Sequence, residues 1–298
     1  SPRRALGGAQ PTRQREATTA WRNSKPPIGG DHASMPLAHS ESQSIIEVLS
    51  RQFAWNEAAP LHVNRFLPNS HVQYLSAVLT LWNLLDRNIE AHTQHATGTP
   101  FGYMRPVQLS AYSRLVLGSE NRTYCEIGFN GGHGVTAMLL ASPSLTAHSF
   151  ELGANGPYTD HAANLVKLYF GEGRFHYHKG NSLQTVPAFA HAGGRGLCDI
   201  LLVDGDHSAQ GAYHDIINMR ELATADAILL IDDISTGPGS SLRRAEAEDI
   251  VRISSWNEYN RTAPENPCLR RIRPPMYNCQ DRWGFAIARY RRRGDGAV

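Results

Sequence analysis

Two short runs of this sequence gather side chains that can hold a cation or move a proton. The first is Leu201-Leu202-Val203-Asp204-Gly205-Asp206-His207, and the second is Ala227-Ile228-Leu229-Leu230-Ile231-Asp232-Asp233. In each, an apolar stretch of buried-strand character opens into acids. If the strands are parallel neighbours, Asp204, Asp232 and Asp233 reach the same sheet edge, where ligands bind in open α/β folds. Carboxylates crowded in this way repel one another and call for a cation. An all-oxygen set suits a hard ion, with Mg²⁺ the default and Mn²⁺ or Ca²⁺ also fitting. His207 adds a group that titrates near neutral pH, the property of a general base. The competing explanations are that the acids cap the helices that follow, and that His207 only orients a carboxylate.

A second set lies upstream. Glu126-Ile127-Gly128-Phe129-Asn130-Gly131-Gly132-His133-Gly134 follows an apolar run and precedes a helical pattern. Glycines there let a ligand approach the backbone and the helix N-terminus. The spacing differs from G-x-G-x-x-G, because Asn130 stands at a glycine position, and this disfavours a nicotinamide-dependent oxidoreductase. The next apolar run ends in Phe150-Glu151, with the acid suited to ribose hydroxyls.

These residues need a scaffold. Strand patterns occur at 123–129, 146–151, 174–178, 198–204, 226–232 and 283–290, and helices at about 133–142, 158–170, 182–190, 209–223 and 240–254. Such alternation predicts an α/β fold, a mainly parallel sheet with helices on both faces. The 283–290 strand follows no helix, which suits an antiparallel closing strand. Residues 1–42 are rich in Pro, Gly, Ser, Arg and Gln and read as a flexible arm or stalk. Residues 43–117 form a helical N-terminal extension, and 118–298 the main domain.

Composition narrows the classes. The chain has 298 residues, 41% hydrophobic and 19% charged, which is enough to bury a sizeable core. Its net charge of +2 and its lack of aromatic-basic motifs argue for no nucleic-acid partner. No apolar run is long enough to span a membrane, so a membrane tie would need an N-terminal anchor that has been removed. Cys125 and Cys198 fall inside strand patterns and are expected to act as small buried hydrophobes. Cys268 and Cys279 lie in a polar, Pro- and Arg-rich stretch and are expected to pair in an oxidising compartment. The sequons at Asn121 and Asn260 point to the same compartment. The secretory pathway, the Golgi lumen in particular, is therefore expected, with the cytoplasm as the alternative.

In order and spacing, the glycine loop, Glu151, Asp204-Gly205-Asp206-His207 and Asp232-Asp233 resemble the metal-dependent class I S-adenosylmethionine (SAM) O-methyltransferases. The nearest resemblance is to the macrolide-sugar O-methyltransferases, and a more distant one to the catechol and caffeoyl-CoA enzymes. It covers roughly residues 104–234. It implies a Rossmann-like sheet of order 3-2-1-4-5-7-6 and SAM as cofactor, with Mg²⁺ or Mn²⁺ on Asp204, Asp232 and Asp233. By position, Met104, Glu126, Gly128, Gly132, Glu151, Ser182 and Asp204 correspond to cofactor contacts, with Ser182 on the adenine side. His207 falls where sugar-type enzymes carry a histidine base. Two positions depart from the pattern. Gly134 replaces a frequent serine, and Asp232-Asp233 replaces mixed pairs. The stretch 255–282 has no recognisable counterpart.

The implied activity is metal-dependent methylation of a saccharide hydroxyl, with a vicinal diol chelating the ion. The alternatives are a catechol or phenol acceptor, a metal-independent methyltransferase, and a catalytically silent SAM-fold binding module.

Overall fold

The computed structural model describes residues 69–92, 104–116, 122–260, 269–270, 277–278 and 282–292. The arm expected at 1–42, the start of the helical extension, and the Cys268–Cys279 pair lie outside the described residues.

Two helices come first, α1 (Asn69–His92) and α2 (Pro106–Val116). Then strands and helices alternate: β1 (Thr123–Ile127), α3 (His133–Ala141), β2 (Thr146–Glu151), α4 (Tyr158–Phe170), β3 (Phe175–Lys179) and α5 (Ser182–Phe189). The series continues through β4 (Cys198–Val203), α6 (Ala209–Met219), β5 (Ala223–Ile231), α7 (Gly237–Ala247) and β6 (Val251–Asn260) to β7 (Arg282–Tyr290). A separate two-residue ladder pairs Leu269–Arg270 with Tyr277–Asn278.

The seven strands form one sheet in the order β3-β2-β1-β4-β5-β7-β6. This is the 3-2-1-4-5-7-6 arrangement expected from the sequence. β1 to β5 are mutually parallel, and β7 runs antiparallel between β5 and β6. Alternation along the strands sorts side chains into two cores. Tyr124, Ile200, Leu202 and Leu230 face α1–α4, while Cys125, Leu201, Val203 and Leu229 face α5–α7. Because both faces are covered, the central strands are apolar throughout. α1 and α2 share the first core through Val78, Trp82, Leu85, Leu109 and Tyr112. No helix among the described residues is long and apolar enough to cross a membrane.

The structure departs from the sequence reading at three places. The helix expected at 209–223 stops at Met219, and β5 begins at Ala223. The helix expected at 240–254 is α7, which ends at Ala247. Asp249 then takes a positive φ of 60° and turns the chain into β6. β6 is an edge strand of the sheet, and it absorbs the first residues of the unrecognised 255–282 stretch. Its side chains alternate between inner and outer positions, a period of two that a helical reading of 240–254 misses. Cys125 and Cys198 are fully buried as expected, yet they are not independent hydrophobes. Their sulfurs are bonded at 1.91 Å, with Cα atoms 5.9 Å apart. β1 and β4 are neighbours only in space, so their bond is invisible at a separation of 73 residues.

Candidate functional site

The C-terminal tips of β1, β2, β4 and β5 open onto one cavity of about 720 Å³. Met104, Glu126, Gly128, Glu151, Ser182, Asp204, His207, Asp232 and Asp233 line it, as do Gln108 and Asp215. Gly132 is the one expected site residue outside this lining. It sits at the N-cap of α3 with φ 82°, where a Cβ would come within 2.8 Å of the Phe129 ring, so its role is to shape the loop. Gly128 has φ 99°, and a Cβ there would strike the Asp204 carbonyl oxygen at 1.9 Å. The β1 loop therefore passes directly over the β4 loop.

On the β1–β2 side each carboxylate is held by donors. Buried Glu126 accepts from the Tyr124 hydroxyl at 2.8 Å and the Ser149 hydroxyl at 2.6 Å. Burial still pushes its pKa up to about 7, against the pull of those two hydrogen bonds. Glu151 accepts the Asn130 amide at 2.7 Å and the Gly153 amide at 2.8 Å. Asn130 is the Asn at the glycine position of the motif, and it adopts φ 49°, which turns its N–H toward Glu151. The N-terminal helix α1 braces this loop from behind. Trp82 Nε1 donates to the His133 carbonyl at 2.9 Å, and His133 Nε2 lies 3.2 Å from Asp86. Asn88 donates to the Tyr158 carbonyl, and the Tyr158 hydroxyl donates to the Asn130 side chain.

On the β4–β5 side the acids are arranged differently. His207 lies between two of them, with Nε2 3.3 Å from Asp204 and Nδ1 3.2 Å from Asp233. Asp233 adopts φ 49°, which aims its carboxylate back across the edge. Its hydrogen bond to Asp204, together with the charge of the acids, pushes His207 up to about 9 against partial desolvation. Burial raises Asp204, with Asp233 adding repulsion and His207 opposing. Burial raises Asp232 well above the carboxylate range, with Asp204 and Asp233 adding to it.

These groups fit a divalent cation. Among the described residues, Asp204, His207 and Asp233 each offer one ligand atom within 4.8 Å of the others. Asp232, the third expected ligand, stands apart from that trio, though on the same cavity. Its Oδ2 accepts from Gln108 Nε2 at 2.8 Å and its Oδ1 from the Asp233 amide at 2.8 Å. Gln108 is itself oriented, since its Oε1 accepts the Arg105 amide at 3.2 Å. Sequence reasoning missed Gln108 and Asp215. Each is one of several polar residues within a helical pattern, with no motif to mark it.

Residues 125–234 match the model of a family described as a methyltransferase domain. A comparison with curated proteins finds no match. Among solved structures, an O-methyltransferase from Bacillus cereus in complex with SAH is similar, with TM-score 0.57 and 14% identity over 80% of this chain and 99% of that one. A putative O-methyltransferase from Klebsiella pneumoniae gives TM-score 0.53 and 16% identity over 82% of this chain and 100% of that one. The O-methyltransferase TomG from Streptomyces achromogenes, in complex with SAM, gives TM-score 0.51 and 16% identity over 69% and 88%. At these identities the likeness is one of fold, a Rossmann-like methyltransferase fold.

Proposed function

We propose that this protein is a SAM-dependent, divalent-metal-dependent O-methyltransferase whose acceptor is a saccharide hydroxyl. The observation that carries the reading is the division of one cavity into two kinds of acid. Glu126 and Glu151 are held by protein donors, whereas Asp204 and Asp233 face each other across His207. The first kind suits a cofactor with an ammonium group and ribose hydroxyls. The second suits a cation, held by Asp204, Asp232 and Asp233, which leaves His207 for proton transfer. Mg²⁺ or Mn²⁺ there would act as a Lewis acid on an acceptor oxygen.

The chain's own groups then position the reaction. The glycine loop and Glu151 would hold the cofactor in the cavity that the acidic edge shares. His207 is placed to take the acceptor proton. Neutralising Asp204 and Asp233 removes the cause of its elevated pKa and leaves the ring basic near neutral pH. The acceptor oxygen forms the new bond to the methyl carbon as the bond from that carbon to the sulfonium sulfur breaks, and S-adenosylhomocysteine leaves.

A saccharide is favoured by the histidine at the base position, as in sugar-methylating enzymes, and by the oxidising compartment that the cysteines suggest. The Cys125–Cys198 bond fits that compartment, as does the pairing proposed for Cys268 with Cys279. A location in the secretory pathway, the Golgi lumen in particular, is part of this proposal. The test is to offer equal concentrations of glycans and phenols with SAM and Mg²⁺, with and without excess EDTA, and to identify products by mass spectrometry. The expected result is methylated saccharide that disappears with EDTA. Methylated catechol with no saccharide product would overturn the acceptor, and undiminished transfer in EDTA would overturn the metal.

A further inference from the structure

Ser182 begins α5 at the edge of the cavity, at the position that the family resemblance implies for the adenine side. A serine hydroxyl has one proton to give. Here that proton is committed, since Ser182 Oγ donates to Asp215 Oδ1 at 2.7 Å. Asp215 comes from α6, on the far side of the β4 loop, and is 1% exposed. Its second oxygen, Oδ2, is buried without a hydrogen-bond partner, and a Cβ at Gly205 would lie 3.2 Å from it. A carboxylate kept in the core with one oxygen unpaired is costly unless something uses it. Burial pushes its pKa up to about 6, with the Ser182 hydrogen bond pulling back, and the geometry makes Asp215 Oδ1 the acceptor of the Ser182 proton.

The consequence is a matter of polarity. With its proton spent on Asp215, Ser182 can offer a ligand only lone pairs. A ring nitrogen or a carbonyl oxygen placed there would meet an acceptor, and an amine would meet its complement. We propose that Asp215 sets the base selectivity of the cofactor site. By holding the Ser182 proton it makes this wall an acceptor, which admits a base with an exocyclic amine and rejects its 6-oxo counterpart. Asp215 thus acts through Ser182 as a positioning residue. The proposal rests on the cofactor reading above and adds a residue and a selectivity that the reading does not contain.

The experiment is a pair of binding titrations on the full chain, with S-adenosylhomocysteine and with its deaminated analogue S-inosylhomocysteine. The wild-type protein is expected to prefer the amino form by about 10- to 100-fold, the range set by leaving a buried polar group mispaired. Asp215→Ala frees the hydroxyl to donate to the 6-oxo group, so the preference should fall to within about threefold. Ser182→Ala should lose the preference as well, and it keeps the test decisive where Asp215→Ala does not fold. The ratio of the two affinities is the informative readout, because mere structural damage weakens both ligands alike. A wild-type ratio near one, or Ser182→Ala retaining the wild-type preference, would overturn the proposal and leave the cofactor reading intact. Wild-type protein that binds neither ligand would overturn the cofactor reading and this proposal together.

Discussion

The two halves of the cavity treat their carboxylates in opposite ways. On the β1–β2 side, Glu126 and Glu151 are each held by two donors from nearby in the fold. That half is built by the protein alone, with hydroxyls, loop amides and α1 bracing the glycine loop. On the β4–β5 side, Asp204 and Asp233 share one imidazole, while Asp232 accepts from the Gln108 side chain and the Asp233 amide. The lesson is that acids at one sheet edge are not equivalent. Those supplied with hydrogen-bond donors are ready for a neutral or zwitterionic ligand, and those supplied only with one another await positive charge.

The sharpest way to break this contrast is to remove members of the second half. Asp204→Ala should lower methyl transfer by more than about 10³-fold, since it takes away a group shared by the cation and His207. His207→Ala should lower kcat by on the order of 10²–10⁴ with little change in affinity for S-adenosylhomocysteine, because the proton acceptor is lost while the β1–β2 half stays intact. Steady-state kinetics beside cofactor titration separates the halves. Loss of cofactor affinity in His207→Ala equal to the loss in kcat would mean that the two are one coupled unit.

A smaller effect is expected from Gln108→Leu. The change keeps the bulk and removes the donor to Asp232, so cation affinity should fall about 10- to 100-fold, as is usual for groups that orient metal-site carboxylates. Titration with Mn²⁺, followed by its paramagnetic resonance signal, reads this without turnover. Unchanged Mn²⁺ affinity would show that Asp232 needs no orienting partner.

The smallest effect is in stability. His207 has a folded-state pKa of about 9, raised above the ordinary histidine value near 6.5 by its hydrogen bond to Asp204. Its protonated ring therefore contributes stability in full below pH 6.5, and the contribution is lost as pH rises through 9. The ring is half exposed and screened, so the loss amounts to only about 1 kcal/mol, or roughly 2–4 °C in the thermal midpoint. Metal-free protein should show this decline between pH 6.5 and 9. Saturating Mg²⁺ should flatten it, because the ion supplies the charge that the proton no longer does. An equal decline with and without Mg²⁺ would place the ion elsewhere.

Much of this was legible in the sequence because its signals are local. Apolar runs ending in Glu126, Glu151, Asp204 and Asp232 mark strand tips, and parallel strands bring such tips to one edge by topology alone. Alternating strand and helix patterns specified the sheet, and Gly128 and Gly132 marked the loop because only glycine tolerates their backbone angles and close contacts. What only the tertiary structure decided are relations between residues distant in the chain. Gln108 and Asp232 are 124 residues apart, Ser182 and Asp215 are 33 apart, and Cys125 and Cys198 are 73 apart. No periodicity links such pairs, since each partner is an ordinary member of its own helix or strand. Tertiary packing also decided that β6 is a strand. Its alternation emerges only when β7 lies beside it to pair with, and that partner arrives after the long connection from Asn260 to Arg282. The sequence thus carries the identity and direction of each acid through local pattern. Which acids receive protein donors, and which are left for a cation, is settled by the neighbours that folding brings to them.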